Sequence, residues 1–317
     1  MNLKNILKDP WMVAVWPGMG GVSLSAGYYL MAKLGMRLFE EFPARDFFEL
    51  SSVEVRQGLI LGGRLPRSRL FLWRDPKQQH DLVVFIGEAQ PAANGNAFCE
   101  QLIKFAKDMG VSSVYTFAAM ATAMRPAQPS HVFGAAIDRQ NLAKFKRRHV
   151  ELLEAGKISG LNGVLLSLAA EQGLAGGCLL GEMPHAFPQF PFPKASLAVL
   201  EVFSSMSGIA VDFSELESQA HEVDQGLEQF LNHIESSNQQ RSKKRRSKKF
   251  SVLPPASDPL PANTKLNAQQ LARVEQLFQQ AQADRSRAYE LKQELDRMHV
   301  FHDYEDRFLD LFKDSDS

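Results

Sequence analysis

The stretch WPGMGGVSLSAGYYLMAKLG, Trp16–Gly35, follows a short apolar run, WMVAV, and leads into a helical pattern. A strand, a glycine-rich turn and a helix in direct succession open an α/β fold. The turn has three readings. Gly18 and Gly20 fit two glycines of a dinucleotide fingerprint, but Ser23 stands at the third position. No Lys-Ser/Thr pair follows, so the spacing excludes a P-loop. Glu40 falls where a ribose-binding acid would stand, with Glu41 beside it. The other readings are a tight structural corner and a pocket for a small anion or other ligand, held by N–H groups at the helix N-terminus.

Working outward, apolar runs alternate with helical patterns. Strands are expected at WMVAVWP, MRLFEEF (stopped by Pro43), DLVVFIGEAQP, SSVYTFAAM, HVFGAAID and AGGCLLGEM. Helices are expected at VSLSAGYYLMAKLG, GNAFCEQLIKFAKDMG, SGLNGVLLSLAAEQG and PKASLAVLEVFSSMSG, with DFSELESQAHEVDQGLEQFLNHIE closing the series. VEVRQGLI and RLFLWR flank a Gly-Gly and Pro turn and read as a hairpin-like excursion. Fully apolar strands separated by helices imply a mostly parallel sheet covered on both faces, which the hairpin makes mixed.

The chain has 317 residues with 36 basic and 36 acidic side chains, so no global field draws it to nucleic acid or a membrane. Cys99 and Cys178 lie far apart and form neither a disulfide framework nor a zinc site. With no secretory leader pattern and no apolar run of the ~18 residues that span a bilayer, a cytoplasmic location is expected. Composition changes at Ser236. The expected organisation is a core at 1–235, a basic, Pro-rich disordered linker at 236–265 and a helical tail at 266–317.

RSKKRRSKK, residues 241–249, holds seven basic side chains in nine positions and could make a weak nucleic-acid contact. In the tail, Leu271, Val274, Phe278 and Ala281 follow helical spacing, and Leu291, Leu295 and Met298 restart it on a shifted register. That narrow seam suits docking on a protein partner or self-association.

Candidate functional residues follow the expected strands, where open α/β sheets bind ligands. They are Gly18 and Gly20, Glu88 and Gln90 in GEAQP, Asn162 in ISGLNG, and Glu182 and His185 in GEMPHAFP. Ser159 or Asn162 is positioned to cap a helix. A lone His185 is no metal site. No serine sits in a G-x-S-x-G elbow and neither cysteine has a local histidine signature, so no catalytic constellation and no cofactor is named.

WPGMGGVSLSAGYYLMAKLG, DLVVFIGEAQP, FAKDMGVSSVYTFAA and the run from ISGLNGVLL to VDFSELE occur in that order, and together they resemble the proteasome assembly chaperone 2 family in its prokaryotic branch. The resemblance spans about residues 10–235. It implies a three-layer α/β/α fold like that of nucleoside phosphorylases and related hydrolases, and homo-oligomers, often trimers. It implies an assembly chaperone or protein-binding role without catalysis. Archaeal relatives dock on proteasomes through a hydrophobic-Tyr-any ending, where this sequence has LFKDSDS. Prokaryotic members also carry an ATP-grasp superfamily label, which implies the alternative: an enzyme, including an ATP-dependent ligase, acting on a nucleoside-like or carboxylate ligand at the sheet edge.

Overall fold

The computed structural model describes residues 7–43, 45–50, 53, 55–60, 62–245 and 266–313. Its centre is an eight-stranded sheet formed by β1 (Trp11–Val15), β2 (Arg37–Glu41), β5 (Ser68–Trp73), β6 (Leu82–Gly87), β7 (Ser113–Thr122), β8 (Val132–Ala136), β9 (Glu151–Leu152) and β10 (Ala175–Pro184). The spatial order is β2-β5-β6-β1-β7-β10-β8-β9. Strands β6, β1, β7 and β10 are parallel neighbours; β5 runs antiparallel to both β2 and β6, and β8 antiparallel to β10.

The hairpin-like excursion takes a different form from the one its sequence suggests. VEVRQGLI turns back on itself at Gln57–Gly58, giving β3 (Val55–Arg56) and β4 (Leu59–Ile60) as a separate two-stranded sheet. RLFLWR instead enters the main sheet as β5, because Leu70, Phe71 and Leu72 have core to bury on both faces.

Helices α1 (Val22–Lys33), α3 (Arg139–Lys146) and α5 (Pro193–Ser207) cover one face, and α2 (Gly95–Asp108) and α4 (Gly160–Glu171) the other. Successive strand residues point to opposite faces, so each strand feeds two cores. Trp11, Val13 and Val15 pack with α1 and α5, whereas Met12, Ala14 and Trp16 pack with α2 and α4.

Helix α6 (Ser214–Arg245) packs beside α5. It runs ten residues into the stretch expected as linker, since SSNQQRSKKR contains neither proline nor glycine to stop it. The rest of that expected linker, 246–265, lies outside the described residues.

The tail folds as α7 (Ala268–Ala283), α8 (Ala288–Arg297) and α9 (Phe301–Asp310). Its apolar seam is covered within this chain. Val274, Phe278, Ala281, Leu291 and Leu295 are buried in the same cluster as α1, while Leu271 stays exposed. Tyr28 on α1 meets Phe301 and Phe308 edge to face, and Tyr29 meets Tyr289 at 4.5 Å between ring centroids. The Leu38 N–H of edge strand β2 donates to the Phe312 carbonyl at 2.6 Å.

Candidate functional site

The carboxyl ends of β1, β6, β7 and β10 lie side by side at one edge of the sheet. The opening turn answers its own question there. Gly20 has φ +63°, and a Cβ on it would stand 2.6 Å from the Met183 sulfur. Its N–H donates to the Pro188 carbonyl at 3.0 Å, and its carbonyl accepts from the Phe192 N–H at 2.9 Å. The Gly21 N–H closes back on the Gly18 carbonyl. Donors at the helix N-terminus that would cradle a pyrophosphate are thus held by protein carbonyls, and the glycines serve a tight corner.

Gln90 spans three loops. Its Nε2 donates to the Pro17 carbonyl at 3.1 Å, and its Oε1 accepts from the Leu161 N–H at 3.1 Å. Gln90 therefore occupies the N-terminus of α4, where Ser159 makes no side-chain cap. Asn162 does not cap either; its Nδ2 donates to the Phe117 carbonyl at 3.2 Å. Gly18, Gln90 and Asn162 form one neighbourhood, fixed by loop-to-loop bonds.

Glu88 faces elsewhere. Its carboxylate accepts from Arg69 Nη1 at 2.8 Å and from the Arg67 N–H at 2.9 Å, with Arg64 within 3.0 Å. Asp306 on α9 bonds Arg64, Arg67 and Arg69 in turn, and Glu41 takes the second fork of Arg67. Arg69 is 1% exposed, so this is a buried charge cluster joining the tail to the sheet edge. Burial pushes the Asp306 carboxyl up, but its bond to Arg69 and the surrounding guanidiniums outweigh that and hold it below the usual range. At the preceding residue of α9, burial pushes the Glu305 carboxyl up, only partly offset by the bond from Tyr28.

Glu182 and His185 make a third group, around Thr122. Glu182 accepts from Thr122 Oγ1 at 2.7 Å and pairs with His131 Nδ1 at 2.7 Å. Burial alone would raise its carboxyl; the bonds from Thr122 and His131 outweigh it and lower the pKa. The His185 ring bonds the Thr122 carbonyl through Nδ1 at 2.6 Å. Sequence reasoning placed all seven candidates at this edge, and the structure divides them among three neighbourhoods. It adds Arg69, His131 and Asp306, which come from distant segments with no local spacing to announce them. Among the described residues no three His, Cys, Asp or Glu side chains converge as a metal site, and no helix is long and apolar enough to cross a membrane.

Fold and edge together define a three-layer α/β/α protein whose strand ends are held by internal bonds. Residues 12–231 match the PAC2 family, and the chain belongs to it. An uncharacterised protein of Methanocaldococcus jannaschii is 27% identical over 236 residues, covering 72% of this chain and 84% of that one. Among solved structures, the PAC2 family protein of Streptomyces avermitilis superposes with a TM-score of 0.59 at 25% identity, covering 70% of this chain and 95% of that one. PbaB of Pyrococcus furiosus, an archaeal proteasome activator, gives 0.59 at 23% identity, with 72% and 94% covered. A proteasome-assembly chaperone homologue of Mycobacterium tuberculosis gives 0.59 at 21%, with 68% and 92% covered. The tail helices lie beyond the family match.

Proposed function

We propose that this chain is a non-catalytic protein that associates with itself and with another protein, in the manner of an assembly chaperone. One observation carries the reading: where an α/β enzyme exposes its chemistry, Glu88, Gln90, Asn162 and Glu182 are each engaged in bonds that hold the fold. The apolar surface left open supports it. Val55, Leu59 and Ile60 on the small hairpin and Met19, Phe190 and Phe230 elsewhere are 40% or more exposed, as protein contact surfaces are. Family membership and a fold shared with a proteasome activator and a proteasome-assembly chaperone homologue point the same way. A trimer is the assembly the family resemblance favours. A partner at the tail meets its outward side, because the seam is occupied by α1. A nucleic-acid contact at Arg241–Lys249 is a lesser part of the proposal.

The test is the native mass of the full chain by sedimentation velocity, together with mass spectrometry of whatever co-purifies in fixed stoichiometry. The reading expects an oligomer and a protein partner. A saturable rise in the unfolding midpoint with ATP–Mg²⁺ or a nucleoside, abolished by Glu182→Gln, would overturn it in favour of a small-molecule site.

A further inference from the structure

The excursion between β2 and β5 carries a finger. Strands β3 and β4 form a sheet of their own, and the two residues that join them, Gln57 and Gly58, have φ of 51° and 80°. Positive φ at both positions of a two-residue loop marks the tight turn that suits a right-twisted hairpin. Val55 and Ile60 stand opposite each other on one face of the finger, and Leu59 lies on the other face. They are 61%, 73% and 69% exposed. Leu50 and Val53, just before the finger, are 53% and 52% exposed. A lone two-stranded hairpin is marginal in water, and this one leaves apolar side chains bare on both faces.

The same excursion borders a groove of about 340 Å³ lined by Phe42, Pro43, Leu50 and Leu65. Phe42 is buried and Leu65 half-buried. Glu41 and Arg67 also line it, but they are bonded to each other, which leaves Arg45 as its other charged residue. Leu50 belongs to the groove and to the exposed patch, so finger and groove form one continuous surface.

Leu50, Val53, Val55, Leu59 and Ile60 together leave about 500 Å² of apolar surface open, the upper range for a monomer. Covered on two copies at once, this is about 1,000 Å², where specific protein pairs begin. We propose that two copies of this chain clasp through their fingers, Leu59 and Ile60 of each entering the groove of the other beside Phe42, Pro43 and Leu65. Finger and groove adjoin, so the contact is isologous and closes at two copies instead of running on as a filament. The finger sequence VEVRQGLI has one acid and one base, so the axis brings no net like charge together. The proposal rests on the self-association reading above and names its surface. A two-fold contact of this kind joins single chains or two rings of chains equally well.

The experiment is sedimentation equilibrium of the full chain across a range of concentrations. Wild-type chain sediments as an even-numbered oligomer whose mass halves on dilution. Leu59→Ser with Ile60→Ser weakens the pair about a hundredfold and gives the halved mass where wild type is still paired. Both side chains are exposed, so an unchanged far-UV spectrum is the check on folding. Raised salt leaves the pair intact, because the contact is apolar. Disulfide trapping reads the seating, since the native Cys99 and Cys178 are buried. A chain carrying Ile60→Cys, mixed with one carrying Pro43→Cys, gives a covalent dimer of the two under mild oxidation.

An oligomer that survives Leu59→Ser with Ile60→Ser overturns the finger contact while leaving self-association intact. A wild-type monomer at every concentration removes self-association itself. Covalent dimers formed only between two Ile60→Cys chains would seat finger on finger and overturn the groove. If the double variant keeps its mass but loses a foreign protein that co-purifies with wild type, the finger serves that protein, and the proposal fails.

Discussion

The two faces of the sheet are closed by different means. On the α2–α4 face the cover is supplied by neighbouring segments and is almost wholly apolar, with Phe85, Phe98, Leu102 and Leu165 fully enclosed. On the α1 face the cover has two layers. α1 packs on the strands, and the tail, more than two hundred residues further along, packs on α1 and brings charge with it: Glu305, Lys292 and Asp306. A face closed by adjacent helices needs only apolar matching. One closed by a distant segment also needs marks that fix register, and buried ionic contacts are well suited to supply them. The Arg64–Arg67–Arg69 cluster reads Asp306 in this way.

Three measurements would sharpen or break that contrast, from the largest effect down. Arg69→Ala leaves Glu88 and Asp306 without their buried partner and is expected to cost about 3 kcal/mol in urea unfolding. A loss under 1 kcal/mol would mean the cluster is held open to water and marks nothing. Val274→Ala on the tail and Val83→Ala on the opposite face are each expected to cost about 2 kcal/mol. Hydrogen exchange separates them. Val274→Ala should speed exchange in α7–α9 and α1 alone, whereas Val83→Ala should speed it throughout the sheet. Identical exchange maps would show that the tail and body form one cooperative unit.

The smallest effect is a pH dependence. The folded-state pKa of Glu305 is raised, so the folded chain binds its proton more tightly than the unfolded chain does. Its contribution to stability is fully present below the unfolded value, near 4.5, and is lost as pH rises through the folded one. Glu305→Gln keeps an acceptor for Tyr28 without the charge. It should therefore gain about 1 kcal/mol relative to wild type at neutral pH, with the gain vanishing in acid. Asp306 acts with the opposite sign, its contribution being lost as pH falls.

Much of this fold is legible in local sequence, because it depends on local pattern. WMVAV and LVVFIG are apolar at every position, as only strands buried on both faces are, and helix punctuation by Gly35 and Pro193 falls where expected. The destination of RLFLWR could not be read from its neighbours, since its pairing with both β2 and β6 is decided by space in the sheet. The tail's docking did leave a signal. Ala26, Tyr28, Tyr29, Leu30, Met31 and Ala32 surround α1 on all sides, and a helix apolar all round must be covered twice. At the sheet edge, residue type and strand position suggested candidates along the rim. They could not show which partner each would find, because Glu88 meets Asp306 and Glu182 meets His131 only after the chain has crossed the molecule.

The bond from the Leu38 N–H to the Phe312 carbonyl carries an implication about timing. A chain emerging from the ribosome exposes the rim of β2 long before residue 312 exists. Until then the sheet is an open template for foreign strands, and α1 shows its tyrosines to water. Synthesis itself thus sets an interval in which the nascent protein is itself a client for chaperones, and the interval ends only when the tail folds back over the body.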